Sequence, residues 1–123
     1  MSTVVSFANN QVMVTSDANG AVTITTDPIA MGSMDRVSLE TNIHNMFGGT
    51  TQQLRVTPQY SNDGTSWVSG TNIDYVSAAA TPAFGAAQNV LAAFLRIAFV
   101  FQITSGSGTG AVHFDCIGKI DKS

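Results

Sequence analysis

The residues best suited to acid–base chemistry are His44 and His113, the two histidines of the chain, and the eight carboxylates around them. His113 and Asp115 stand two apart, so on a strand they project from the same face. With a serine supplied from elsewhere they would form the base and orienting group of a nucleophilic triad. No nucleophile-elbow motif accompanies them, and a polar strand face explains the spacing more simply. Transition metals need His or Cys clustered at short spacing, and the sequence shows no such cluster. Calcium would draw on Asp17, Asp63 and Asp74, but each sits in or beside a turn. There Asx side chains ordinarily bond their own backbone. Gly106–Gly110 lacks the Gly-Lys-Ser/Thr ending of a phosphate loop and joins two strands. No cofactor is expected, and the chain reads as a non-enzyme.

Tyr60, Trp67 and Tyr75 are candidates for stacking sugars, with Asn62, Asp63 and Asn72 as hydrogen-bond partners. The same aromatics serve equally as core of a plain sandwich. Cys116, the single cysteine, reads as a buried strand residue.

Positioning these residues falls to strands. Apolar residues recur with a period of two almost throughout. Strands are expected at Gln11–Thr15, Ala21–Thr26, Arg36–Asn45, Leu54–Ser61, from Trp67, Asn72–Ser77, Phe94–Thr104 and Ala111–Ile120. Asn19-Gly20, Asn62-Asp63-Gly64 and the run Ser105–Gly110 supply turns. Met46–Thr50 reads as a loop. Pro58 predicts an edge position or a bulge, because proline cannot donate to a ladder. Gly85–Ala93 is read as a loop with at most one short helix, Ala and Leu being helix formers. The predicted architecture is all-β: an antiparallel β-sandwich or jelly roll of seven or eight short strands in one domain, residues 1–123. Residues 1–10 are expected as a flexible N-terminal arm.

Phe94–Thr104 differs from the other strands. Leu95, Ile97, Phe99, Phe101 and Ile103 line one face, and Phe94, Ala98 and Val100 line the other beside Arg96 and Gln102. A sandwich strand normally has one wet face, so the second apolar face predicts a covering segment or a second subunit. Phe94, Ala98 and Val100, with Phe47 in the neighbouring loop, are therefore the candidate interface residues.

Charged residues make up 11% of the chain, against a usual value of about 25%. A surface of Ser, Thr, Asn, Gln, Gly and Ala repels its neighbours weakly and tolerates close packing. The net charge is −3 and the five cations are scattered singly, which argues against nucleic acid as a partner. No apolar run reaches the ~20 residues of a membrane helix, and the N-terminus lacks a secretory pattern. Assembly in the cytoplasm is expected.

Three motifs spread over residues 56–118 carry a resemblance. Val56–Trp67 is similar to the "Gln-hydrophobe-Ser-x-Asp-Gly-x-x-Trp" hairpin of discoidin-type sandwich domains and of many bacteriophage virion proteins. Ala93–Ile97 resembles the aromatic-hydrophobe-Arg-hydrophobe strand that follows it, and Phe114–Gly118 the closing strand. Discoidin domains are usually secreted and cysteine-paired, and their N-terminal signature has no counterpart in residues 1–50. The chain thus looks more like a small phage structural protein, of the capsid decoration (cement) or minor tail type. That resemblance implies a virion location, a homo-oligomer with a trimer favoured, and a major capsid or tail protein as partner. It also implies that Trp67 caps the core and that Arg96 reaches the polar end of a neighbouring strand. The alternative is a carbohydrate-binding module using Tyr60, Trp67 and Tyr75.

Overall fold

The computed structural model describes residues 2–15, 21–48, 51–77, 81–105 and 109–123. Five long strands dominate: β1 (Ser2–Thr15), β4 (Arg36–Phe47), β5 (Thr51–Ser61), β10 (Phe94–Ser105) and β11 (Gly110–Asp121). Six short ones complete the set: β2 (Ala21–Thr25), β3 (Ile29–Ala30), β6 (Val68–Ser69), β7 (Ile73–Tyr75), β8 (Ala83–Phe84) and β9 (Gln88–Asn89). They form two antiparallel sheets in a sandwich-like arrangement, as the alternating sequence predicts. Sheet A runs β1-β11-β4-β8, with β9 also on β4; sheet B runs β2-β10-β5-β6, with β3 on β10 and β7 on β5.

The period-two pattern explains the layering. Val37, Leu39, Thr41 and Ile43 of β4 are buried, as are Val112, Phe114, Cys116 and Ile120 of β11. From sheet B, Leu95, Ile97, Phe99, Phe101 and Ile103 of β10 face them. Phe99 and Phe114 meet across the sandwich with ring centroids 5.0 Å apart. Each such fully buried side chain contributes about 1.5–3 kcal/mol. Gly118 leaves room on β11 for the ring of Phe7, which a Cβ there would approach to 2.3 Å. Phe7 and the buried Ala8 both turn inward at a register shift between Ser6 and Ala8.

The structure corrects several expectations. The N-terminal residues are no free arm: Ser2–Ser6 pair residue by residue with Asp121–Ile117 of β11. Val5 and Phe7 pack against the core, and that apolar contact holds the segment in the sheet. Met46 and Phe47 continue β4, paired with Val112 and Ala111. Residues 85–93 are a loop, as expected, with no helix and with the short strand β9 within it. Gly85 N donates to Leu39 O at 2.9 Å, Val90 N to Asp35 O at 2.7 Å, and Val90 is buried. These long-range bonds override the helix preference of alanine. The expected turn at Asn19-Gly20 and the loop centre 106–108 lie outside the described residues.

Pro58 occupies neither a sheet edge nor a bulge; it is buried in β5, opposite Ile97. Ile97 directs its amide and carbonyl to Thr26, at 2.9 and 3.0 Å. Its partner Pro58 therefore turns its backbone the other way, into the gap between β6 and β7. There its carbonyl accepts from Gly70 N at 2.8 Å, and no ladder donor is required of it.

Phe114→Ala is expected to cost about 3–5 kcal/mol in denaturant unfolding, from lost burial plus a cavity. Phe84→Ala, at a side chain 77% exposed, is expected to change stability by no more than about 0.5 kcal/mol. Equal costs would contradict this assignment of layers.

Candidate functional site

The second face of β10, expected to need a cover, is closed by its own sheet. Ala98 lies between Thr25 and Thr57, Val100 between Thr23 and Arg55, and Gln102 between Ala21 and Gln53. The polar groups beside them are bonded within the chain: Thr57 Oγ1 donates to Asn72 Oδ1 at 2.7 Å, Arg55 pairs with Asp74 at 2.8 Å, and Gln102 Nε2 donates to Gln53 Oε1 at 3.0 Å. Ala98 is thereby buried, and Phe94 and Val100 are half-buried. Of the candidate interface residues, Phe47 alone is broadly exposed, at 52%, and it belongs to sheet A.

Nor do the three aromatics gather. Tyr75 is buried on β7 opposite Leu54, while Tyr60 pairs with Val68 six residues further along β5, a separation of about 20 Å. Tyr60 lines a cleft of about 420 Å³ with Asn62, Asp63, Ser66, Val68 and Leu91, and its hydroxyl donates to Gln88 Oε1 at 3.2 Å. Trp67 does not cap the core. Arg96 projects from the outer face of sheet B, donates to Gln59 Oε1 at 2.7 Å and lies 4.2 Å from the Trp67 ring centre. Arg96 thus reaches a neighbouring strand, as the motif implies, and its guanidinium draws Trp67 to the outside of the sandwich.

The potential calcium ligands have other roles. Asp63 Oδ1 accepts from Thr65 N and Ser66 N at 2.8 Å and from Ser61 Oγ at 2.9 Å. These donors, Ser66 N foremost, hold its carboxyl down at about 2. Asp74 pairs with Arg55, and Asp17 lies outside the described residues. Among the described residues no three His, Cys, Asp or Glu groups are arranged to hold a metal. Cys116 is buried, and desolvation pushes its thiol up to about 12, far from the thiolate that reactivity requires.

The most constructed polar site lies on the outer face of sheet A, and only half of it was legible in the sequence. Both neighbours of β11 bulge at the same level. In β4, Asn45 pairs with His113 and Ile43 with Phe114, so His44 is an extra residue. In β1, Ala8 pairs with Cys116 and Gln11 with Phe114, so Asn9 and Asn10 stand against Asp115 alone. Bulges re-aim side chains in this way. His44 Nε2 meets Asp115 Oδ2 at 2.8 Å, and the His44 and His113 ring centroids are 4.7 Å apart. Asn10, at φ 50°, donates its amide to Asp115 Oδ1 at 2.6 Å, and its Oδ1 lies 3.2 Å from His113 Nε2. The Asn10 amide, and then His44, hold the Asp115 carboxyl below its ordinary range. The triad considered from His113 and Asp115 is not assembled: Asp115 orients His44, and His113 faces Asn10. The sequence offered His44 as a titratable group but not its partner, because Asp115 is 71 residues away and the β4–β11 pairing brings the two together.

Exposed apolar residues flank this cluster. Val4, Ile117 and Phe84 line a groove with Ser38, Glu40 and Lys119 on one side. Val14, Ala111 and Phe47 align across three strands on the other, with Val12 beside His113. Six of the nine large hydrophobic residues exposed among the described ones lie on strands of sheet A, which makes that face the apolar surface of the molecule.

No protein-family model and no curated protein matches the chain. Among solved structures, it is similar to one described as "Crystal Structure of FLHE", at 11% identity and a TM-score of 0.45, over 99% of this chain and 95% of that one. A second, "Crystal structure of PirA", gives 10% identity and a TM-score of 0.40 over 87% and 95%. Likeness at this distance has no bearing on activity. No helix among the described residues is long and apolar enough to cross a membrane.

The Asp63 turn yields a pH prediction. A depressed carboxylate stabilises the fold above its unfolded value of 3.8, and that contribution disappears as pH falls through the folded value of about 2. Asp63→Ala is expected to lower Tm at neutral pH and to show a shallower Tm loss than the native chain between about pH 4 and pH 2. Parallel Tm curves across that window would refute the role given to the turn.

Proposed function

We propose that this protein is a non-enzymatic virion structural protein that docks on a capsid or tail lattice as a symmetric oligomer. The observation that carries this reading is the apolar outer face of sheet A. Val4, Val12, Val14, Phe47, Phe84 and Ile117 are each at least 41% exposed. Exposed apolar residues gathered on one face support an interaction surface there. The charges around it are of mixed sign: Arg36 pairs with Asp121, and Lys119 lies 3.7 Å from the same carboxylate. Such a face suits a neutral protein surface better than a polyanion. Many weak docking sites on a repeating shell add by multivalency. The low charge of the chain and its resemblance to small phage structural proteins support the same reading.

A carbohydrate-binding module is the alternative. Dispersal of Tyr60, Trp67 and Tyr75 over an outer face, a loop cleft and the core removes the stacking platform that it needs.

Particles purified from the producing host are expected to contain this chain in a fixed ratio to the shell protein, read by quantitative mass spectrometry. The double variant Phe84→Lys/Ile117→Lys is expected to remain folded by circular dichroism. It should co-sediment with shells lacking the native chain at least about tenfold more weakly, from the apolar burial it forfeits. Particles without the chain, together with binding on a glycan array, would transfer the assignment to the carbohydrate reading.

A further inference from the structure

β1 forms one edge of sheet A and pairs with β11 alone among the described strands. The other sheet margins are made of short pieces: β8 and β9 of two residues each, β2 of five, β6 of two and β7 of three. Short strands are one way in which proteins protect an edge; charged side chains, proline and bulges are others. β1 is fourteen residues long, Ser-Thr-Val-Val-Ser-Phe-Ala-Asn-Asn-Gln-Val-Met-Val-Thr, with no charge and no proline. Its protection is confined to the shifts around Phe7–Asn10. Ser2–Ser6 and Gln11–Thr15 keep regular register with β11, so each carries an unbroken row of backbone groups along its free side.

We infer that this edge pairs with the β1 edge of a second copy, antiparallel about a two-fold axis, joining two A sheets into one. The occupant is a second copy because an antiparallel strand pair is self-complementary about such an axis. The uncharged seam brings no like charges opposite one another, which heteropolar edge pairs must otherwise resolve. The chain carries a net charge of only −3, so mutual repulsion is weak. Val4, Val12 and Val14, exposed at 70%, 53% and 53%, would flank the seam from both copies as β-branched neighbours on one face, a favourable cross-strand arrangement. The pairing doubles the apolar face described above. It does not require that face to meet a viral shell, so the two proposals fail separately.

Light scattering behind a sizing column tests it on the full chain. The native protein is expected at twice its 12.9 kDa mass. Val4→Lys/Ser6→Lys places charges at solvent-exposed positions of the edge and is expected to give a monomer. Asn45→Lys, exposed on the same face but two strands away, is expected to leave the dimer intact. A native monomer or trimer, a dimer unaffected by the edge lysines, or a dimer lost equally in Asn45→Lys would each overturn the inference. Should the edge variant not fold, amide exchange on the native chain gives the reading. β1 amides that slow as concentration crosses the dimerisation range support the pairing, and β1 exchange independent of concentration refutes it.

Discussion

The contact between Phe99 and Phe114 is the constraint on which the rest depends. β10 and β11 are consecutive in the chain, yet they lie in opposite sheets, each as an inner strand. Their rings meet at a tilt of 57° within the core, and the two strands bury Leu95, Ile97, Phe101, Val112, Cys116 and Ile120 around that contact. Once it is made, each strand has one committed face, and its neighbours add outward from it. β4 and β1 then have no register available except one that aligns Leu39, Ile43, Met13 and Ala8 with the same layer, because a one-residue slip would turn each strand inside out.

That demand for register is met with bulges. The extra residues are all in the partners of β11: β4 takes up one opposite His113–Phe114 and β1 takes up others opposite Phe114–Ile117. Of the extra residues, Phe7 packs against the core, whereas Asn10 and His44 lie on the outer face, where His113 and Asp115 receive them. Asn10 accepts a left-handed backbone there, which asparagine tolerates better than most residues. The polar cluster is thus a by-product of core registration, a side-chain network on the outer face of sheet A.

The two outer faces differ for a physical reason. On sheet B, β5 and β10 present Arg55, Gln59, Arg96, Gln53 and Gln102, long side chains with partners across the sheet: Arg96 on Gln59, Gln102 on Gln53, and Arg55 on Asp74 of β7. Ala98, between Thr25 and Thr57, is buried within the chain. On sheet A, β1 contributes valines and β11 an isoleucine, which are too short and too apolar to close over their neighbours. One face is therefore finished within the chain, and the other retains apolar surface that a partner can bury.

Much of this was legible in the sequence. Alternation located every long strand, placed Leu95 to Ile103 and Val112 to Cys116 inward, and identified the Asp63-Gly64 turn, because side-chain period and turn chemistry are local properties. It set the start of β1 nine residues late, since Ser2–Asn10 breaks its alternation at the Phe7-Ala8 pair and again at Asn9-Asn10. It attributed the uncovered face to Phe94, Ala98 and Val100 of β10 together with Phe47, when the uncovered residues belong to β1, β4, β8 and β11, Phe47 alone of the four among them. The sequence by itself determined the centres of the long strands and which side of each is greasy. Tertiary structure alone decided which strand stands at an edge, where the bulges bring His44 to Asp115, and whose outer face is closed. Those outcomes depend on the side chains of neighbouring strands distant in the chain, and no window along the sequence contains them.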